Sequence, residues 1–251
     1  MSDRILIEVC VDSVASAVAA ERGGAGRLEL CSNLLEGGIT PSAGLIELVR
    51  ARTSIGLQVM VRPRGGDFCY TAEEFETMRR DIVAAKKLGA DGVVVGILNA
   101  DGSVDIGRTR ELVELARPLS VTFHRAFDMS ADLFRALESV CATGADRLLT
   151  SGGAKAALQA VEQIARLVEA ARGRIAIMAC GGINHHNAAS IIEQTGVREI
   201  HVGLRSSVAS PMLHRNPELS MGTAAECEYQ RFEVLEDNVL SLHQAVALVR
   251  T

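Results

Sequence analysis

Two short segments share one pattern of side chains that could do chemistry. Glu8-Val9-Cys10 and Glu29-Leu30-Cys31 each place a carboxylate two residues before a thiol. Two thiolates brought together would suit a soft monovalent ion such as copper(I), which favours sulfur and tolerates few ligands. Zinc would ask for four ligands and would have to borrow His124 or His201. Carboxylates with a histidine suit a harder divalent cation, or proton transfer at a carbon centre. The plainer alternative is that Cys10 and Cys31 are buried thiols acting as small hydrophobes. Arg62, in VRPRGGDFCY (61–70), adds a cation that a metal site does not need.

These residues all fall on runs with strand character. The candidates are 5–10, 27–31, 57–62, 92–97, 119–124, 147–151, 175–180 and 198–203. Helical patterns lie between them, among them 72–88, 106–117, 131–143 and 154–171, with Asp105 and Ser130 placed as N-caps. GGAGRLEL, GADGVVV, GADRLLT and GVREIHV precede strands two, four, six and eight, each a glycine helix end feeding a strand. Eight βα repeats in a chain of 251 residues predict one (β/α)8 TIM barrel over 1–251, with a long connection at about 204–228 and a final helix. An open doubly wound sheet would carry a GxGxxG turn after its first strand, and CVDSVASA has none.

Parity along each strand then sorts the side chains. Carboxylates do not belong beneath a packed helix, so Glu8, Cys10, Glu29 and Cys31 point into the barrel. Gln58, Met60 and Arg62 share one side of strand three; Thr122 and His124 share one side of strand five. Strand eight contributes His201 and Gly203. Most of these lie near the C-terminal strand ends, where barrels build their sites. An internal salt bridge such as Glu8–Arg62 is the alternative to a pocket. Glycine-rich turns after strands seven and eight, with Gly181, Gly182, Gly203 and Ser206, form a candidate anion site, and Thr150-Ser151-Gly152-Gly153 adds hydroxyls nearby. Adjacent His185 and His186 diverge by about 100° on a helix and read as a solvated helix start. Cys141 and Cys227 read as structural thiols.

Composition narrows the partners. Hydrophobic residues make up 48% of the chain, aromatics 3%, and the net charge is −5. That balance, without a basic run, excludes nucleic acid. No apolar run is long enough for a membrane span, and the N-terminus lacks a signal-peptide layout, so a cytoplasmic protein is expected. Apolar helix faces on a barrel favour a homo-oligomer.

The motifs ERGGAGRLELCS (21–32), EGGITPS (36–42), RPRGGDFCY (62–70), VTFHRAFDM (121–129), LLTSGG (148–153), SPMLHRN (210–216) and LSMG (219–222) closely resemble the CutC-type copper homeostasis proteins. The resemblance runs nearly end to end. It implies a (β/α)8 barrel and copper(I) held by two cysteines, which match Cys10 in CVDS and Cys31 in ELCS. Cys69 and Cys180 do not carry over. Arg62, Arg64, Asp67, His124, Arg125 and Asp128, which carry the resemblance, are hard, charged groups that suit an anionic or carbonyl ligand better than copper. They support a second expectation: an enzyme acting on a small anionic or phosphorylated metabolite. There Arg62 and the glycine turns hold the anion, and His124 with Glu8 or Glu29 moves protons.

Overall fold

The computed structural model describes residues 5–221, 228–247 and 249. Eight parallel strands close into a barrel in chain order. They are β1 (Leu6–Val11), β2 (Arg27–Leu30), β3 (Gly56–Met60), β4 (Gly92–Val95), β5 (Ser120–Phe123), β6 (Arg147–Thr150), β7 (Ala176–Cys180) and β8 (Glu199–Val202). Helices α1 (Val14–Arg22), α2 (Ala43–Arg52), α3 (Ala72–Lys87), α4 (Ile106–Ala116), α5 (Leu133–Thr143), α6 (Val161–Ala171) and α7 (Ala188–Thr195) follow the first seven strands. The barrel is closed where Glu8 of β1 faces His201 of β8.

The alternation read from the sequence sets the two sides of each strand. Val9, Leu28, Leu30, Val59, Val121 and Phe123 are fully buried in the layer between sheet and helices. Cys10, Cys31, Met60 and Val94 form a separate apolar cluster inside the barrel. Polar caps start the helices where side chains can satisfy free N–H groups. Thr71 and Glu74 form a reciprocal capping box on α3, and the Asp105 carboxylate accepts from Arg108 N on α4.

Four local expectations change. The N-cap of α5 is Asp132, not Ser130, because residues 125–129 form a 3-10 turn that Ser130 closes. The helix expected from 154 begins at Val161: Gly152 and Gly153 take positive φ, and Ala157 N donates to Gly181 O, which ties this segment to the neighbouring turn. The connection after β8 is not a bare loop, since β9 (Arg205–Ala209) pairs antiparallel with β10 (Gln230–Val234). Val234 N donates to Ser16 Oγ, which pins this hairpin on α1 before α8 (Glu236–Ala247). Cys227 lies outside the described residues. Glu8 does not pair with Arg62 but with Arg27, which also reaches Glu199 at 2.5 Å. Arg147 meets the same Glu199 oxygen at 2.9 Å. These side chains from β1, β2, β6 and β8 form the charged floor of the barrel. Among the described residues no helix is long and apolar enough to cross a membrane.

Candidate functional site

Above the floor, β1 and β2 bring the two Glu-x-Cys segments side by side. Parallel register sets Cys10 opposite Glu29, with Cys31 one step further along. The sulfurs of Cys10 and Cys31 lie 3.8 Å apart, and Glu29 Oε2 is 3.5 Å from Cys31 Sγ. Gly38 presses on this pair, since a methyl there would fall 3.1 Å from Cys31 Sγ. His201 presents Nδ1 to Glu8 Oε1 at 2.8 Å and Nε2 to Glu29 Oε2 at 3.7 Å. Two overlapping sets of ligand atoms result, Cys10–Glu29–Cys31 and Glu8–Glu29–His201, with Glu29 common to both.

The charges follow from burial and neighbours. Burial opposes ionisation of Glu8, but the hydrogen bond to His201 and the Arg27 guanidinium overcome it and hold its pKa down to about 2. Glu29 has no cation of its own except His201, and burial pushes its carboxyl well above the usual range. Burial disfavours the imidazolium of His201, yet the carboxylates of Glu29 and Glu8 raise it. Within the thiol pair, the hydrogen bond from Cys31 favours a thiolate at Cys10 against the cost of burial; Cys31, as donor, is pushed up.

A cavity of about 660 Å³ opens above these groups at the C-terminal mouth. Cys10, Glu29, Met60, Cys180 and His201 line it from the strands, and Arg62, Phe68, His124, Arg125, Gly181, Gly182, Gly203 and Arg205 from beyond the strand ends. Such a volume suits a small organic molecule. Arg62 ties the β2 and β3 loops together, donating from Nη1 to Glu36 O (2.8 Å) and Gly38 O (3.0 Å) and from Nη2 to Gly66 O (2.8 Å). Phe68 lies between Arg62 and His124, with its ring centre 4.9 Å from the guanidinium carbon and 5.0 Å from the imidazole.

Not every expected residue meets the cavity. Ser206 sits in β9, where its hydroxyl accepts from Asn238 Nδ2 at 2.9 Å. The hydroxyls after β6 turn to a carboxylate of the chain itself: Asp128 takes Thr150 Oγ1 at 2.5 Å, Ser151 N at 3.0 Å and Gly153 N at 3.1 Å. Asp67 bonds both Arg64 Nη2 (3.1 Å) and Cys69 N (3.0 Å), so RPRGGDF is a self-braced turn. His185 and His186 are exposed and lie against each other. Sequence reasoning passed over Arg27, Glu199 and Arg147, although each stands two positions before an inward residue of its strand; parity alone would have found them.

Comparison with known proteins identifies the family. A mouse protein named copper homeostasis protein cutC homolog is 52% identical over 225 residues, covering 89% of this chain and 83% of its own. The human protein of the same name is 47% identical over 96% of this chain and 89% of its own. Among solved structures, a CutC protein of Streptococcus agalactiae superposes with a TM-score of 0.74 at 34% identity, over 78% of this chain and 97% of its own. The profile of the CutC family matches residues 5–206, and the chain belongs to that family.

Proposed function

We propose that this chain binds copper(I) through the sulfurs of Cys10 and Cys31, in the service of copper homeostasis. The observation that carries the reading is the pair of buried sulfurs 3.8 Å apart beneath an open cavity. Two sulfurs bonded to one ion at roughly 2.3 Å each lie no more than about 4.6 Å apart, so the pair fits a shared ion without rearrangement of the strands. Thiolates are soft donors and select copper(I) over hard cations. Glu29, whose Oε1 has no hydrogen-bond partner among the described residues, stands beside them as a third donor. Names of the mouse and human relatives point the same way.

The ligand set requires Cys31 to lose its proton. Because its thiol is pushed up, copper(I) binding should release a proton and tighten as pH rises. Competition against a copper(I) chelator in anaerobic buffer tests this. Cys10→Ser with Cys31→Ser should abolish tight binding; copper retained by the double variant would refute the assignment.

A further inference from the structure

The upper part of the cavity holds a polar group that copper leaves unexplained. His124 is 4% exposed, and its Nε2 has no hydrogen-bond partner among the described residues. Its other nitrogen is committed: Nδ1 accepts from Ala126 N at 3.1 Å. An imidazole whose Nδ1 accepts must carry its hydrogen on Nε2, so the unpartnered atom is a donor. Gly96 secures this orientation, because a methyl there would collide with the Nδ1–Cε1 edge of the ring. Nε2 is bonded to the Cε1 end of that edge, and the side chain that carries it lines the cavity. Burial, with the Arg62 charge beside it, lowers the pKa of His124 to about 3, so the group stays a neutral N–H donor at any ordinary pH.

The surrounding charge defines what the donor would meet. Arg62, Arg125 and Arg205 line the same cavity, against one carboxylate, Glu29. Arg125 is set in place by Asp128 at Nε (2.9 Å) and Ser151 Oγ at Nη2 (2.7 Å). That leaves its Nη1 without a partner among the described residues. The turn after β7 is less suited to phosphate than its glycines promise. Asn184 N donates to Asn187 Oδ1 at 2.8 Å and His186 N to Asn184 Oδ1 at 2.9 Å, so side chains already use two N–H groups of the turn that leads into α7.

We propose that the cavity binds a small organic carboxylate, with one ligand oxygen accepting from His124 Nε2–H and the arginines supplying the positive field. Cys10 and Glu29 line the same cavity, but the proposed contact at His124 uses neither sulfur. A neutral imidazole donor with guanidinium groups around it fits a carboxylate oxygen, as in other sites that present fixed donors to a developing or resident negative charge. His124 is thereby a fixed donor, and not the proton carrier its sequence context suggests.

The test uses the full chain with metal removed by chelator. Acetate, pyruvate, 2-oxoglutarate and inorganic phosphate are titrated by calorimetry at constant ionic strength. Long-range proton–nitrogen spectra of the histidine rings follow His124. At least one carboxylate should bind saturably and shift the His124 Nε2–H resonance, with phosphate failing to compete. His124→Phe, which keeps the ring and removes the donor, should weaken that binding roughly tenfold or more. Should the variant fold poorly, the resonance shift in the unaltered chain still decides. Carboxylates that leave the His124 signal unmoved, binding unaffected by His124→Phe, or phosphate bound in preference to every carboxylate would each overturn the proposal.

Discussion

The floor and the mouth of this barrel treat buried polar groups in opposite ways. At the floor, both oxygens of Glu8 are taken, one by Arg27 and one by His201, and Glu199 bridges Arg27 and Arg147. Among the described residues, Arg147 Nη1 and the hydroxyl of Thr122, its register partner on β5, are left over there. At the mouth, Glu29 Oε1 and His124 Nε2 are just as buried and have no partner among the described residues. Burying a polar group without a hydrogen bond is costly, so a fold keeps such atoms where something else completes them. The floor therefore reads as a lock that joins β1, β2, β6 and β8, and the mouth as an incomplete site. What separates them is the supply of partners, since the residue types are similar.

The sharpest way to break this comparison is to remove the central cation of the floor. Arg27→Met keeps much of the side-chain volume but leaves Glu8 and Glu199 facing each other without their shared guanidinium. Breaking a buried ion pair from one side costs about 3–5 kcal/mol. Urea denaturation should show a loss of that order, with copper(I) affinity changed only as far as folding is. A loss under about 1 kcal/mol would mean that the floor is no lock.

The next effect concerns His124 and acid. Its folded pKa, about 3, lies below the ordinary histidine value of 6.5, so the unfolded chain binds the extra proton more readily. Stability from this group is fully present above pH 6.5 and is lost as pH falls towards 3. Its contribution should fall by about 1.4 kcal/mol per pH unit within that window. Glu8 acts in the same direction, but only between pH 4.5 and about 2. Between pH 6.5 and 4.5, denaturation curves of the unaltered chain should therefore steepen with acid relative to His124→Phe. Parallel curves would show that His124 is not held neutral. Gly96→Ala should cost about 1–3 kcal/mol by crowding the same ring, measured by the same denaturation at pH 7.

Much of this division was legible before any coordinates. Parity placed Glu8, Cys10, Glu29, Cys31, His124 and His201 inside the barrel, because a strand admits only two faces and helices cover one of them. Parity carries no depth, however. It could not say that Arg27 from the next strand meets Glu8 at the same depth, so Glu8–Arg62 was the ion pair expected and Arg27 was passed over. The turn chemistry was harder still. Thr150, Ser151 and Gly153 look like an anion nest, and they are one, but the anion is Asp128, brought in by the 3-10 turn after β5. A side chain that folds back from another loop leaves no periodic trace. The hairpin of β9 and β10 was missed because its strands, RSSVA and QRFEV, are rich in polar residues and lie far apart in the chain.

The smallest predicted effect sharpens the comparison most, because it compares like with like. Glu29 and Glu8 are both buried glutamates on adjacent strands, yet burial moves Glu29 up while Arg27 and His201 bring Glu8 down. A group with a raised folded pKa contributes stability that is complete below its unfolded value and is lost as pH rises through the folded one. The Glu29 carboxylate is thus a burden to the metal-free fold at neutral pH. Glu29→Gln removes that burden at nearly constant shape, so chelator-treated protein should be unchanged or stabilised by up to about 1 kcal/mol at pH 7, and the gain should shrink towards pH 4.5. The same substitution at Glu8 would strand Arg27 and should destabilise strongly. A loss of several kcal/mol in Glu29→Gln would place Glu29 with the floor, as a structural ion, and would remove it from the copper site. A neutral result with weakened copper(I) affinity would instead show a carboxyl kept in the barrel for the ion it meets.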